Sequence, residues 1–464
     1  MNLDPVLTHE PIRRLPGATF RARRDELLAR MTALGGGVTI VRSNPEQTRS
    51  NDTEFLYRPD SDLWWLTGFG EPDTVAVFTD THPEHRFVLF VRPRDPEKET
   101  WNGRRAGVEG ALRDFGPDAT YSIEELDGVL PKYLETSPTL WWTPGVDRPF
   151  NARMDAWLTA SRRTRARSGK GPTTIAELGM LTHEARLHKT AEEVALMQRA
   201  SDITAEAHNA SLENTRPGMY EYEVEALVNY VFRARGARAP GYNSIVAGGV
   251  NGTILHYTEN ESRLAASDLL LIDAGAEVEG YTADVTRTFP VGARFTPPQR
   301  AAYDIVLAAQ EAAIAVVRPG ALFDDVHHAA LTTLVEGLVS LGVLDGSAEE
   351  LIAQKAFQPF YMHRTSHWLG LEVHDVGLYV DGKGSPRALE PGMVLTVEPG
   401  LYFGDGGPAY DPQYRGIGIR IEDDIVVTEG GSLNLTAGAL KTVADIEAAR
   451  ARALQRGVAA LPVV

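Results

Sequence analysis

The spacing of apolar residues changes character along this chain. Over the first 160 or so residues, short solid runs at Val38–Val41, Val75–Phe78 and Phe87–Val91 are too short for helices and predict buried strands, separated by helical stretches. From about residue 175 a weak repeat sets in, of the kind that organises a whole fold. An amphipathic helix over Ala191–Asn214 closes at Arg216-Pro217-Gly218, and a second begins at Tyr220. Later a helix over Pro298–Val317 closes at Arg318-Pro319-Gly320, and another begins at Asp324. Two strands follow each helix pair, at 269–278 and 280–291 and again at 394–403 and 416–427. The expectation is an α/β (α+β) chain whose larger part is two similar halves facing one another across a cleft.

The length of 464 residues is more than one ordinary core would fill and predicts two domains. Around Ser161–Thr174 the sequence turns basic, then rich in Gly, Pro and Thr. We place the boundary there, giving an N-terminal α/β domain over 1–174 and a larger domain over 175–464, and read the basic run as a solvated linker or helix end. A net charge of −17, from 63 acids against 46 bases, argues against nucleic acid or an anionic membrane as partner. With no cysteine the chain has neither disulfides nor thiolate metal sites nor a cysteine nucleophile, so any metal must rest on carboxylates and imidazoles. The segment 1–14 lacks an apolar signal region, and no run of about 18 apolar residues occurs, so a cytoplasmic location is expected.

Within the repeated strands the acids are out of place. If residues 269–289 form a hairpin turning at Glu279-Gly280, Gly275 opposes Asp284 and Asp273 lies diagonally from Asp284 on the same face, about 7–8 Å away at Cα. Two carboxylates in an apolar strand environment are costly unless a positive group lies between them. The second half repeats the oddity with Glu398 and Glu422. Taken singly, Asp273 could be a turn acid, Asp284 an edge charge and Glu422 a partner of Arg420. Residues 363–375 (HRTSHWLGLEVHD) add His363, His367 and His374 from a chain with 12 histidines, beside Trp368, Leu369, Leu371 and Val373, which suggests a lined pocket. Four carboxylates with one imidazole form a hard, oxygen-rich donor set suited to a two-ion site of Mn²⁺, Co²⁺ or Zn²⁺. Two such ions about 3.5–4 Å apart can share and activate a hydroxide. His327 and His328 lack such a cluster and read as surface or core residues.

These stretches resemble the metallopeptidases of the pita-bread fold, and among them the Xaa-Pro aminopeptidases, with prolidases as close relatives. The matching motifs are HYTEN (256–260), LLLIDAGAE, YTADVTRTFP, HRTSHWLGLEVHDVG, LEPGMVLTVEPGLY and GIGIRIEDDIVVT, with YRPDSDLWWLTGFGEPD (57–73) in the N-terminal part. The resemblance implies that Asp273 and Asp284 hold one metal, His367 and Glu398 the other, and that Asp284 and Glu422 bridge, with Mn²⁺ the first candidate. It further implies that His256 and His374 hydrogen-bond the substrate or the tetrahedral intermediate, that His363 lines the pocket, that Glu398 handles the proton of the attacking hydroxide, that Arg420 orients Glu422, and that Tyr402 lies on the substrate side. The implied reaction is hydrolysis of the bond between an N-terminal residue and a following proline in small peptides, by a homodimer or homotetramer, with the N-terminal domain serving assembly and cleft shaping. Prolidase, restricted to Xaa-Pro dipeptides, is the alternative; Trp101, Arg104 and Arg105 are candidates for reaching a cleft, and Trp64, Trp65 and Trp101 otherwise read as core.

Overall fold

The computed structural model describes residues 14–145, 147–404 and 410–455; the N-terminal stretch 1–13 read above lies outside them. The chain divides into two compact units, Arg14–Ala185 and a larger one from Arg186 onward.

The first unit is built on a mixed sheet of six strands: β1 (Val38–Arg42), β2 (Val75–Thr79), β3 (Phe87–Val91), β4 (Ala119–Ser122), β5 (Thr139–Trp141) and β6 (Thr174–Ala176), in spatial order β4-β3-β2-β1-β5-β6. Every residue of β2 and β3 is buried, as solid apolar runs require. One face carries Val38, Ile40, Val75, Val77, Val88 and Phe90 against Leu130, Tyr133, Phe150 and Met154 of the helices Leu126–Glu135 and Arg148–Ser168. The period of two along each strand decides which residues share that face.

The boundary differs from the expected one at 174. The basic stretch is the end of the Arg148–Ser168 helix, where Arg165 and Arg167 lie in the last turn and favour the negative end of the helix dipole; the helix stops at Gly169 in the left-handed conformation. Beyond it, β6 pairs in parallel with β5, so the chain leaves this unit at 185. Trp65 is buried, whereas Trp101 is 84% exposed and corrects the core reading of that residue.

In the second unit the repeat is visible in the backbone. Helices α1 (Ala191–Asn214) and α2 (Glu221–Ala234) precede strands β7 (Ile245–Gly248), β8 (Leu269–Asp273), β9 (Ala276–Val278), β10 (Tyr281–Thr282) and β11 (Thr286–Pro290). Helices α3 (Pro297–Val316) and α4 (Phe323–Ser340) precede β12 (Val394–Val397), β13 (Gly400–Tyr402), β14 (Gly418–Arg420) and β15 (Asp423–Thr428). Both Arg-Pro-Gly turns use glycine at positive φ, +94° at Gly218 and +83° at Gly320, a region costly for residues with a Cβ. After each turn the chain makes an isolated antiparallel bridge, Tyr220 with Arg263 and Leu322 with Ala388. Phe323 and Val326 of α4 pack with Leu395, Val397, Ile425 and Val427 of the second hairpin. Among the described residues no helix is long and apolar enough to cross a membrane.

Candidate active site

Both hairpins break where their acids sit. In the first, Asp273 pairs with Thr286 and Glu277 with Thr282, the register expected for a turn at Glu279-Gly280, whose φ values are +50° and +85°. Between these ladders Gly275 faces the chain around Asp284 so closely that a Cβ there would lie 1.7 Å from the Ala283 carbonyl oxygen; only glycine allows that approach. In the second hairpin Val397 pairs with Asp423 and Gly400 with Arg420. That register sets Glu398 opposite Glu422, and Pro399, which has no N–H for a ladder, occupies the interruption.

The histidine-rich segment is laid beside β12. Leu369 N–H donates to Val394 O (3.1 Å), Thr396 N–H to His367 O (3.0 Å) and Glu398 N–H to Thr365 O (2.8 Å). His367 therefore faces the acids: its Nε2 lies 3.4 Å from Asp284 Oδ2 and 3.4 Å from Glu398 Oε1. Its Nδ1, 3.0 Å from the Trp368 carbonyl, donates there and leaves Nε2 for the site. One ligand atom each from Asp284, His367 and Glu422 falls within a span of 4.8 Å. Asp273 stands alongside, and the Tyr242 hydroxyl lies 2.6 Å from Asp273 Oδ1 and 2.5 Å from Asp284 Oδ1.

Arg420 reaches this cluster from behind. Its guanidinium donates to Asp273 Oδ2 (2.5 Å), to Thr286 Oγ1 (3.0 Å) and to the Tyr402 hydroxyl (3.1 Å). Thr286 in turn donates to Glu422 Oε2 at 2.7 Å, so the arginine reaches Glu422 through a threonine. Tyr402 is buried and bonded to His363 Nε2 at 2.9 Å. Its hydroxyl thus lies against two residues of the cavity wall, His363 and Arg420. The acids of the Glu422-Asp423-Asp424 run have separate partners: Asp423 accepts from Arg287 (2.6 Å) and Lys441 (2.7 Å), and Asp424 accepts the Asp284 N–H (3.1 Å).

The cluster floors a cavity of about 670 Å³, whose wall includes His256, His363, His374, Arg364, Glu398 and Val373. His256 and His374 are exposed, and the His374 ring meets His367 edge-on at 4.5 Å. Trp368, Leu369 and Leu371, expected to line the pocket, are instead buried in the core. His327 is partly buried, 2.9 Å from Thr365 Oγ1, as a core-facing residue of α4.

A model of "Metallopeptidase family M24" matches residues 195–429, and one of "Aminopeptidase P, N-terminal domain" matches 20–141. This chain belongs to metallopeptidase family M24. It is 45% identical to an Escherichia coli Xaa-Pro aminopeptidase over 92% of this chain and 96% of that one. The solved structure of Pseudomonas aeruginosa aminopeptidase PepP is 43% identical and superimposes with a TM-score of 0.92, covering 95% of this chain and 99% of that one. A variant of E. coli aminopeptidase P in complex with substrate is 44% identical, with a TM-score of 0.90 and 96% and 100% coverage. The fold is accordingly the pita-bread arrangement behind an aminopeptidase P-type N-terminal domain.

Membership of M24 implies divalent metal ions, and the donor set fits them. Burial, then the nearby Asp284 and Glu398, drive the Glu422 carboxyl well above its usual range. Burial pushes Glu398 up to about 8 against the pull of His367 and Arg420. Burial acts to lower His367, but Asp284 and Glu398 outweigh it and hold the ring at about 9. Like charges gathered this tightly are relieved either by protons or by a cation between them. Tyr242 has one hydroxyl proton for two carboxylates, so its second close approach also calls for a positive group at the site. Tyr242, Thr286 and Asp424 were missed in the sequence because each is ordinary in its own stretch and acquires its partner across the fold.

Proposed function

We propose that this M24 metallopeptidase is an Xaa-Pro aminopeptidase, releasing the first residue of peptides whose second residue is proline. The observation that carries the reading is the convergence of Asp284, His367 and Glu422 within 4.8 Å on the floor of a cavity of about 670 Å³, in a chain aligned over 92% of its length with an enzyme of that name. Asp273, Asp284, His367, Glu398 and Glu422 would hold two divalent ions, with manganese the first candidate and cobalt or zinc the alternatives. When bound, such ions acidify water at neutral pH and polarise a carbonyl.

The residues of the chain supply the rest. Glu398 lies at the cavity wall, where its carboxylate can take the proton of the attacking water and return it to the departing nitrogen. That return matters, because the nitrogen of a bond to proline has no N–H and must be protonated to leave as an amine. His256 and His374, exposed on the same wall, can hydrogen-bond the substrate as the carbonyl becomes tetrahedral. His363, tied to Tyr402, and Arg420 then act as positioning groups for the acids. Burial and Arg420 lower His363 to about 3, which keeps its ring neutral. A cytoplasmic location belongs to the same reading, as does assembly into a homodimer or homotetramer; the exposed Trp101 of the N-terminal unit supports the latter.

The test is to strip the purified chain with a chelator and follow an Xaa-Pro-Xaa tripeptide beside an Xaa-Pro dipeptide while Mn²⁺, Co²⁺ or Zn²⁺ is restored. Metal-dependent release of the first residue from the tripeptide is expected. Cleavage of the dipeptide alone would make the enzyme a prolidase, and no cleavage with any metal would end the catalytic reading.

A further inference from the structure

Two arginines line the cavity, Arg364 and Arg420, and their situations are opposite. Arg420 is buried, with every guanidinium nitrogen committed to Asp273, Thr286 or Tyr402. Arg364 follows His363 on the wall, leaves 59% of its side chain open to solvent, and pairs with Asp324, itself 35% open. An ion pair as open as this is worth little and exchanges partners readily. Asp324 does not depend on it, because it sits in the first turn of α4, where the helix N-terminus favours a negative charge. The pair therefore offers a cation that can turn toward an incoming anion without stranding its counter-ion. The anion best matched to a planar guanidinium fork is a carboxylate.

Resting on the aminopeptidase reading above, we propose that Arg364 is a specificity-determining residue that recognises a carboxylate on the peptide beyond the scissile bond. Two sources share that chemistry: the C-terminal carboxylate of a short peptide and an acidic side chain on a longer one. A peptide carrying either gains a partner at the cavity wall of a protein whose net charge of −17 otherwise repels it.

The metal-loaded enzyme is assayed with Ala-Pro-Ala as free acid and as C-terminal amide, and with the amidated peptides Ala-Pro-Asp and Ala-Pro-Asn. For the native chain, kcat/KM for the free acid should exceed that for the amide by about three- to tenfold, carried by KM. In Arg364→Gln that ratio should fall to about one, with Arg364→Lys between. Asp324→Asn, which frees the arginine, should raise the ratio. If the Asp/Asn pair of amides responds and the acid/amide pair does not, the recognised carboxylate is the side chain; the reverse identifies the C-terminus. A native enzyme indifferent to both pairs, or a preference unchanged in Arg364→Gln, overturns the proposal while leaving the aminopeptidase reading intact. If the native chain cleaves none of the four, that reading fails and this one with it.

Discussion

The Tyr242 hydroxyl lies 2.5 Å from Asp284 Oδ1, and because the same oxygen is 2.6 Å from Asp273, one phenol spans two of the five residues assigned to the metal pair. Burial and these two acids raise the phenol well above its usual range, so it stays protonated and can only donate to a carboxylate. Removing such a supporting bond typically costs 10–100-fold in metal affinity or activity. Tyr242→Phe should therefore weaken metal binding by roughly 10–100-fold, measured by titrating Mn²⁺ into the stripped protein. Affinity equal to the native chain would show that the contact does not support the ligands.

Metal loading should expel protons. His367 is held at about 9 and Glu398 at about 8 in the metal-free chain. Near pH 7 both groups thus hold protons that a cation must displace. Affinity should rise with pH through this range. Calorimetry in buffers of different ionisation enthalpy checks this, and a binding enthalpy independent of buffer would contradict it.

Thr286 Oγ1 accepts from Arg420 and donates to Glu422. Thr286→Val keeps the shape and removes both bonds, leaving Glu422 Oε2 without its donor and the Arg420 Nε without its acceptor. We expect kcat to fall about tenfold or more with KM for a proline tripeptide little changed. A variant with native kcat would mean that Glu422 is oriented by other contacts.

Asp375 is buried between Arg186 (2.7 Å) and Lys189 (3.0 Å). Burial alone would raise its carboxyl, but the two cations outweigh it and the net shift is downward. A carboxyl depressed in the folded state binds fewer protons there than in the unfolded chain. Its stabilisation is then complete above the ordinary aspartate range near 3.9 and is lost as pH falls through the lower folded value. Asp375→Asn removes the close anion of two buried cations, leaving Arg186 the more distant Glu372 at 3.9 Å, and should destabilise by about 3–5 kcal/mol, with less of the acid-induced loss. Denaturant melts of both proteins at pH 7 and pH 3 test this, and equal pH dependence would be contrary to it.

The first hairpin was readable because its information is local. Glu279-Gly280 specifies the turn, the turn specifies the register, and the register brings Asp273 and Asp284 onto one face. The repeat of helix pair and hairpin was readable for the same reason, through its two Arg-Pro-Gly turns. The domain boundary was not, because a basic composition marks a solvated surface and the Arg148–Ser168 helix has one within its own unit. The partners of Tyr402 were not readable either, because an aromatic next to a ligand strand looks the same in sequence whatever it meets; the fold sets its hydroxyl against Arg420 and His363.

By itself the sequence determined the element types, the register of the first hairpin and the chemistry of the donor set, since periodicity, turn geometry and ligand hardness act over a few residues. The tertiary structure alone decided which atoms meet: His367 beside Glu398 through backbone pairing with β12, Tyr242 across Asp273 and Asp284, Thr286 between Arg420 and Glu422, and Arg364 at the cavity wall paired with Asp324. Those contacts join residues far apart in the chain, and nothing local encodes them until each half folds back on itself and, for Thr286, the two halves pack together.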